Sequence, residues 1–186
     1  MNIRFSVLTL CCAAALAACG GQDGSTSGQV GSAASEVPPG SVKIETARGE
    51  AVVPQNPERV AVYDLGAIDT LSKLGVKIGA SVDSQNLAYL DAPLKDAVKA
   101  GTLFEPNYEA LNAYNPQLII IGSRMAKDKV SSELAKLAPT VEMTAKTDNM
   151  KESAKARIDA YAKIFGKQAE ADALKAEIDK TFADAK

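Results

Sequence analysis

Arginine is suited to oxyanions because its planar guanidinium presents a fixed fork of donors that matches carboxylate, phosphate or catecholate oxygens. Beyond Arg4 the sequence holds four arginines, Arg48, Arg59, Arg124 and Arg157. Arg124 closes the stretch Asn-Pro-Gln-Leu-Ile-Ile-Ile-Gly-Ser-Arg at residues 115–124, with Ser123 beside it and Lys127 and Lys129 just beyond adding positive field. Asp64 and Asp83 each follow a separate apolar run. These groups can hold an anion, but they form no constellation for breaking bonds. The sequence has no histidine, which excludes Ser-His and Cys-His nucleophiles and every histidine-containing metal site. Ser123 therefore has no histidine base. No Gly-x-Gly-x-x-Gly or Gly-Lys-Ser/Thr loop cradles a phosphate, and no Asp-x-Asp-x-Asp-Gly loop holds calcium.

The elements that must position these residues follow from the apolar pattern. Asn115-Pro116 marks a turn, and residues 118–121 are too short for a helix and too uniformly apolar for a strand with one wet face. They read as a central strand covered on both sides, as in a parallel sheet. In such sheets ligands sit beyond the carboxyl ends of the strands, which places residues 122–124 at the functional edge. Residues 59–63 and 76–82 read as two further strands, so Asp64 and Asp83 reach the same edge. Residues 65–74 form a helix between them, ended by Gly75. Arg48 falls in a hairpin turn between residues 42–46 and 51–53, with Gly49 supplying the unusual backbone angle. Arg59 lies at the opposite edge and Arg157 on a helix, so only Arg124 stands where a ligand would.

Residues 86–100 read as a loop and then a short helix after Pro93, and residues 108–114 as a helical turn or two. After Arg124 comes a helix with Val130, Leu134 and Leu137 on one face, then Pro139 and a strand at residues 140–143. Asn149 with Glu152 fits a capping box, opening a helix with the stripe Ala154, Ile158, Tyr161, Ala162 and Phe165. A last helix from Gln168 turns Ala171, Leu174, Ile178 and Phe182 inward. The fold class is α/β: a Rossmann-like lobe with a mostly parallel sheet flanked by helices and an N-terminal β-hairpin.

The first 18 residues read as a secretory signal, with Arg4, an apolar run and small residues closing on Leu-Ala-Ala-Cys. That ending fits the bacterial lipoprotein box and marks Cys19 for lipidation, while Cys11 and Cys12 fall in the segment removed. Residues 19–40 are a lipidated cysteine and a flexible, Gly- and Ser-rich linker. Residues 41–166 form the lobe and residues 167–186 the start of a further helix that no stop signal ends. A net charge of -2 argues against a nucleic-acid surface.

Taken alone, the candidate residues keep two readings each. Arg124 serves equally as a ligand group or as a solvated loop arginine. Asp64 fits a helix N-cap, Asp83 with Ser84 fits a turn, and Glu109 is an exposed carboxylate. Tyr89, Phe104 and Tyr108 could wall a pocket or sit half-buried on loops.

Three segments together carry a resemblance: Asn-Pro-Glu-Arg-Val-Ala-Val-Tyr-Asp-Leu-Gly-Ala-Ile-Asp-Thr-Leu-Ser-Lys-Leu-Gly-Val at residues 56–76, Gly-Thr-Leu-Phe-Glu-Pro-Asn-Tyr-Glu-Ala-Leu at 101–111, and residues 115–124. In this order they resemble the periplasmic iron-siderophore-binding lipoproteins of bacterial ABC importers, and more narrowly the branch that binds ferric catecholates such as enterobactin. That family has two α/β lobes joined by a long helix, with ligand in the cleft between them. The resemblance implies the first lobe, with the helix from Gln168 as the connector in which the chain stops, and weak binding or none by this chain alone. It implies Arg124 as the cleft arginine, with Ser123, Asp64, Asp83 and Lys127 around it, and Glu109 as a contact for the membrane permease. The ferric chelate would be cargo and no cofactor is needed, because its iron is already fully coordinated. The implied protein is a monomer, not an enzyme, anchored through Cys19 in the periplasm or cell envelope. Haem or cobalamin as cargo, a surface lipoprotein without a transport role, and an extracytoplasmic enzyme are the alternatives.

Overall fold

A computed structural model describes residues 37–83 and 88–184; the signal segment and Cys19 lie outside that range. The described chain begins with a hairpin, β1 (Ser41–Thr46) and β2 (Gly49–Pro54), paired antiparallel with Thr46 opposite Gly49. The two-residue turn Ala47-Arg48 is closed by Thr46, whose hydroxyl donates to the Gly49 carbonyl at 2.7 Å and accepts from the Arg48 amide at 3.1 Å. Gly49 has φ +99°, a conformation that glycine enters without steric cost. Ile44 and Val53 point inward and are buried.

The main sheet is parallel throughout, in the order β5-β4-β3-β6-β7. Its strands are β3 (Val60–Tyr63), β4 (Ala80–Ser81), β5 (Val98–Lys99), β6 (Leu118–Ile121) and β7 (Thr140–Glu142). Every residue of β3 and β6 is buried, as their unbroken apolar runs require of strands with helices on both sides. β4 is shorter than the seven residues the sequence predicts, because only Ala80 and Ser81 pair on both sides. The region before residue 100 also departs from expectation. A 3-10 turn (Ala88–Leu90) and α2 (Asp91–Leu94) run across Pro93, which sits in the first turn where its missing N–H costs nothing. β5 then adds an edge strand with no counterpart in the apolar pattern, both of its residues being exposed.

α1 (Leu65–Lys73) follows β3, α3 (Tyr108–Tyr114) precedes β6, and α4 (Asp128–Ala135) joins β6 to β7. α3 ends on Asn115 in the left-handed region with φ 54°, a conformation asparagine tolerates better than most residues, and Pro116 starts the approach to β6. α5 (Met150–Phe165) buries Ile158, Tyr161 and Ala162 and ends at Gly166 with φ +64°. Asn149 caps it by accepting from the Glu152 amide at 3.4 Å, while its own amide bonds Asp148 at 3.0 Å. α6 (Gln168–Asp184) runs back along α5, held by Lys155–Asp179 and Lys175–Asp159 pairs across the two helices. Ala171 is buried and Leu174 and Ile178 are half-buried, but Phe182 is exposed, contrary to the inward stripe the sequence suggests. Its ring lies instead 5.7 Å from the Lys151 ammonium.

Candidate functional site

The strand order reverses direction between β3 and β6. From β3 the chain adds β4 and β5 on one side, then returns to place β6 and β7 on the other. A reversal of this kind leaves a crevice beyond the carboxyl ends of the two central strands, where ligands bind in open α/β sheets. The residues that follow β3 and β6 are Asp64 and Gly122-Ser123-Arg124, so these groups stand at that carboxyl edge.

Asp64 is engaged within the protein. Its Oδ1 accepts from the Ala67 amide at 2.7 Å as the cap of α1 and pairs with Arg157 Nη2 at 3.2 Å, with both side chains largely sheltered. Its Oδ2 lies against Gly122, where a Cβ would overlap it. Arg157 therefore reaches the carboxyl edge from α5, which corrects the assignment of Arg124 as the only arginine there. Behind this pair the Tyr161 hydroxyl is fully buried without a well-formed hydrogen bond. Burial raises its pKa, and Arg157 offsets part of that rise.

Arg124 is exposed in a turn stabilised by Met125 N–H to Gly122 O at 3.1 Å, with the Met125 side chain buried beneath. Its guanidinium carbon lies 5.9 Å from the Phe104 ring centroid, within cation–π range. Lys127 precedes α4 and is exposed as well. Phe104 is 67% exposed at the tip of a tight loop. Thr102 Oγ1 accepts from the amides of Phe104 and Glu105, and the Thr102 amide donates to Glu105 O at 2.9 Å. Gly101 has φ +96° and no room for a Cβ against the Glu105 carbonyl, so the tight path of this loop requires glycine there. Tyr63, at the end of β3, donates to Ala100 O at 2.6 Å and ties the loop's base to the sheet.

Ser123 is exposed beside Arg124. Asp83 closes β4 with its amide on Gly101 O at 2.9 Å and its carboxylate 3.5 Å from Lys99. Glu109 is exposed in the first turn of α3. The structure thus brings Asp64, Ser123, Arg124 and Phe104 to the carboxyl edge of the central strands, with Asp83 and Lys127 at the ends of flanking segments. Arg48 also lies at this edge, because the hairpin turn folds onto the end of β7: the Ala47 amide donates to Glu142 O at 2.9 Å. The sequence held no signal for that docking. Beyond β7 a cleft of about 470 Å³ opens between the hairpin, Met143 and the start of α5, with Lys146, Glu152 and Arg157 in its walls.

Residues 60–186 match the family described as periplasmic binding protein. The chain belongs to the periplasmic binding protein family. Members of this family are substrate-binding proteins. The petrobactin-binding protein YclQ of Bacillus subtilis is 33% identical across 98% of this chain and 57% of its own length. The Fe(3+)-citrate-binding protein YfmC of the same organism is 29% identical across 97% of this chain and 56% of its own. In three dimensions the chain is similar to the periplasmic catecholate-siderophore binding protein VctP of Vibrio cholerae, with a TM-score of 0.69 and 31% identity over 77% of this chain and 52% of that one. The chain spans a little over half the length of these relatives.

Proposed function

We propose that this chain forms the N-terminal lobe of a siderophore-binding lipoprotein that captures a ferric catecholate for an ABC importer. The observation that carries the reading is the exposed Arg124–Phe104 pair at the reversal point of the sheet. A ferric tris-catecholate is a bulky trianion with a filled iron shell. Its receptor must supply cations and an aromatic wall without metal ligands. Arg124 and Lys127 supply charge, Phe104 supplies a flat face, and Ser123 supplies a hydroxyl. Asp64 holds Arg157 in place behind them, and Asp83 closes the β4 side. Glu109, on the exposed surface of α3, docks the permease. Cys19 carries the lipid that holds the protein in the envelope, residues 20–40 act as tether, and α6 is the start of the helix leading to a second lobe. The cargo reading draws support from YclQ and VctP, whose names specify petrobactin and catecholate siderophores.

Tyrosine fluorescence tests it, since the chain has five tyrosines and no tryptophan. Ferric enterobactin titrated into residues 20–186 is expected to quench with a Kd in the micromolar range or weaker, because one lobe covers one side of the ligand. Arg124→Ala is expected to cost about tenfold or more in affinity, the size of a charge-assisted contact, with an unchanged melting temperature. Unaltered affinity in that variant overturns the role of Arg124, and absence of quenching both in residues 20–186 and in a chain extended by the second lobe overturns the cargo. A second reading, ferric citrate as cargo, is favoured by the similarity to YfmC; stronger quenching by ferric citrate than by ferric enterobactin would establish it.

A further inference from the structure

We propose that Arg48, from the N-terminal hairpin, is a positioning residue that braces the loop carrying Arg124. The hairpin turn sets its side chain at the junction of two segments. Arg48 Nε donates to Glu142 Oε2 at 2.8 Å, and Nη2 donates to the Ala126 carbonyl, two residues beyond Arg124. Glu142 is a firm anchor, only 13% exposed, with its other oxygen accepting from the Thr144 hydroxyl at 2.8 Å. The loop's own fastening is weaker at this point: the Ala126 amide reaches Ser123 O at 3.3 Å, long for a backbone bond. A single guanidinium therefore joins hairpin, β7 and the Arg124 loop. Lysine could meet Glu142, but its single ammonium lacks the planar fork that spans both acceptors. By this arrangement Arg48 touches no ligand and sets where Arg124 points.

The bracing itself is independent of cargo, while its consequence for affinity rests on the siderophore reading above. Amide hydrogen exchange followed by NMR on residues 20–186 tests the first part. In both Arg48→Gln and Arg48→Lys the Met125 and Ala126 amides are expected to exchange about tenfold faster, the equivalent of one charge-assisted hydrogen bond. Protection in β6 stays unchanged. Equal exchange in wild type and in Arg48→Lys overturns the proposal, and the lysine variant decides alone if Arg48→Gln fails to fold. The second part is a double-mutant cycle in the ferric enterobactin titration. Arg48→Gln is expected to weaken binding about fivefold, a coupling of the size that neighbouring residues show, and to add nothing in the Arg124→Ala background. Additive losses overturn action through Arg124. Where ferric enterobactin quenches neither the wild-type chain nor a chain extended by the second lobe, the cargo reading is refuted and the exchange result decides the bracing by itself.

Discussion

Gly122 has no room for a side chain, and that restriction follows from what Asp64 must do. Asp64 caps α1, pairs with Arg157 and lies against the glycine at the end of β6. Gly122→Ala is expected to push the carboxylate off this seat and to cost about 1–3 kcal/mol, as overpacking does; a denaturant midpoint equal to wild type would sink that account. Gly101→Ala combines a left-handed backbone with a clash against the Glu105 carbonyl, so it should both destabilise the chain and displace Phe104. Residue-scale reading of the sequence placed Arg124, Ser123 and Asp64 at the carboxyl edge of the sheet, because each lies within three residues of the end of an apolar run. It missed Arg48 and Arg157, whose positions depend on contacts 78 and 93 residues away in the chain. No local pattern encodes where a hairpin turn or a helix face will land.

Among the elements, α6 is lightly secured for its length, with Leu174 and Ile178 half-buried against the core. Only Ala171 along it is buried, and its ties to α5 are partly exposed lysine–aspartate pairs, each worth about 0–1 kcal/mol. Its amides are expected to exchange through local opening well before those of α5; uniform protection across both helices would contradict this. α5 depends more on its cap, and Asn149→Ala is expected to cost about 1 kcal/mol, measurable as a lower melting temperature. The helices were legible because their apolar residues repeat on one face. β5 was not, since its two residues are exposed and carry no alternation, and β4 was overestimated because its apolar approach continues through residues that do not pair. Phe182 misled for a related reason: periodicity identifies a stripe but not where the surface it packs against ends.

At the scale of the whole molecule, the parallel sheet was readable from two fully apolar strands, while the order β5-β4-β3-β6-β7 was not, because pairing between strands leaves no mark on either strand alone. Global stability carries a pH signature from the interior. Tyr63 and Tyr161 both titrate well above the ordinary tyrosine value, chiefly through burial. The folded chain keeps protons that the unfolded chain releases above about pH 10, so this contribution is complete below that pH and is lost as pH rises. The melting temperature is expected to fall as pH rises above about 10, and Tyr63→Phe or Tyr161→Phe should each flatten the fall. A flat profile in the unmodified chain would contradict the burial of both hydroxyls.

The two borders of the sheet bear on crowding. On one side β5 offers two residues, one of them Lys99; on the other, the Ala47 amide already occupies the Glu142 carbonyl of β7. A short charged border and a covered one give a foreign strand almost no template to extend. Among the described residues, edge-on growth of the main sheet therefore finds little to extend at either border, however densely the protein is packed.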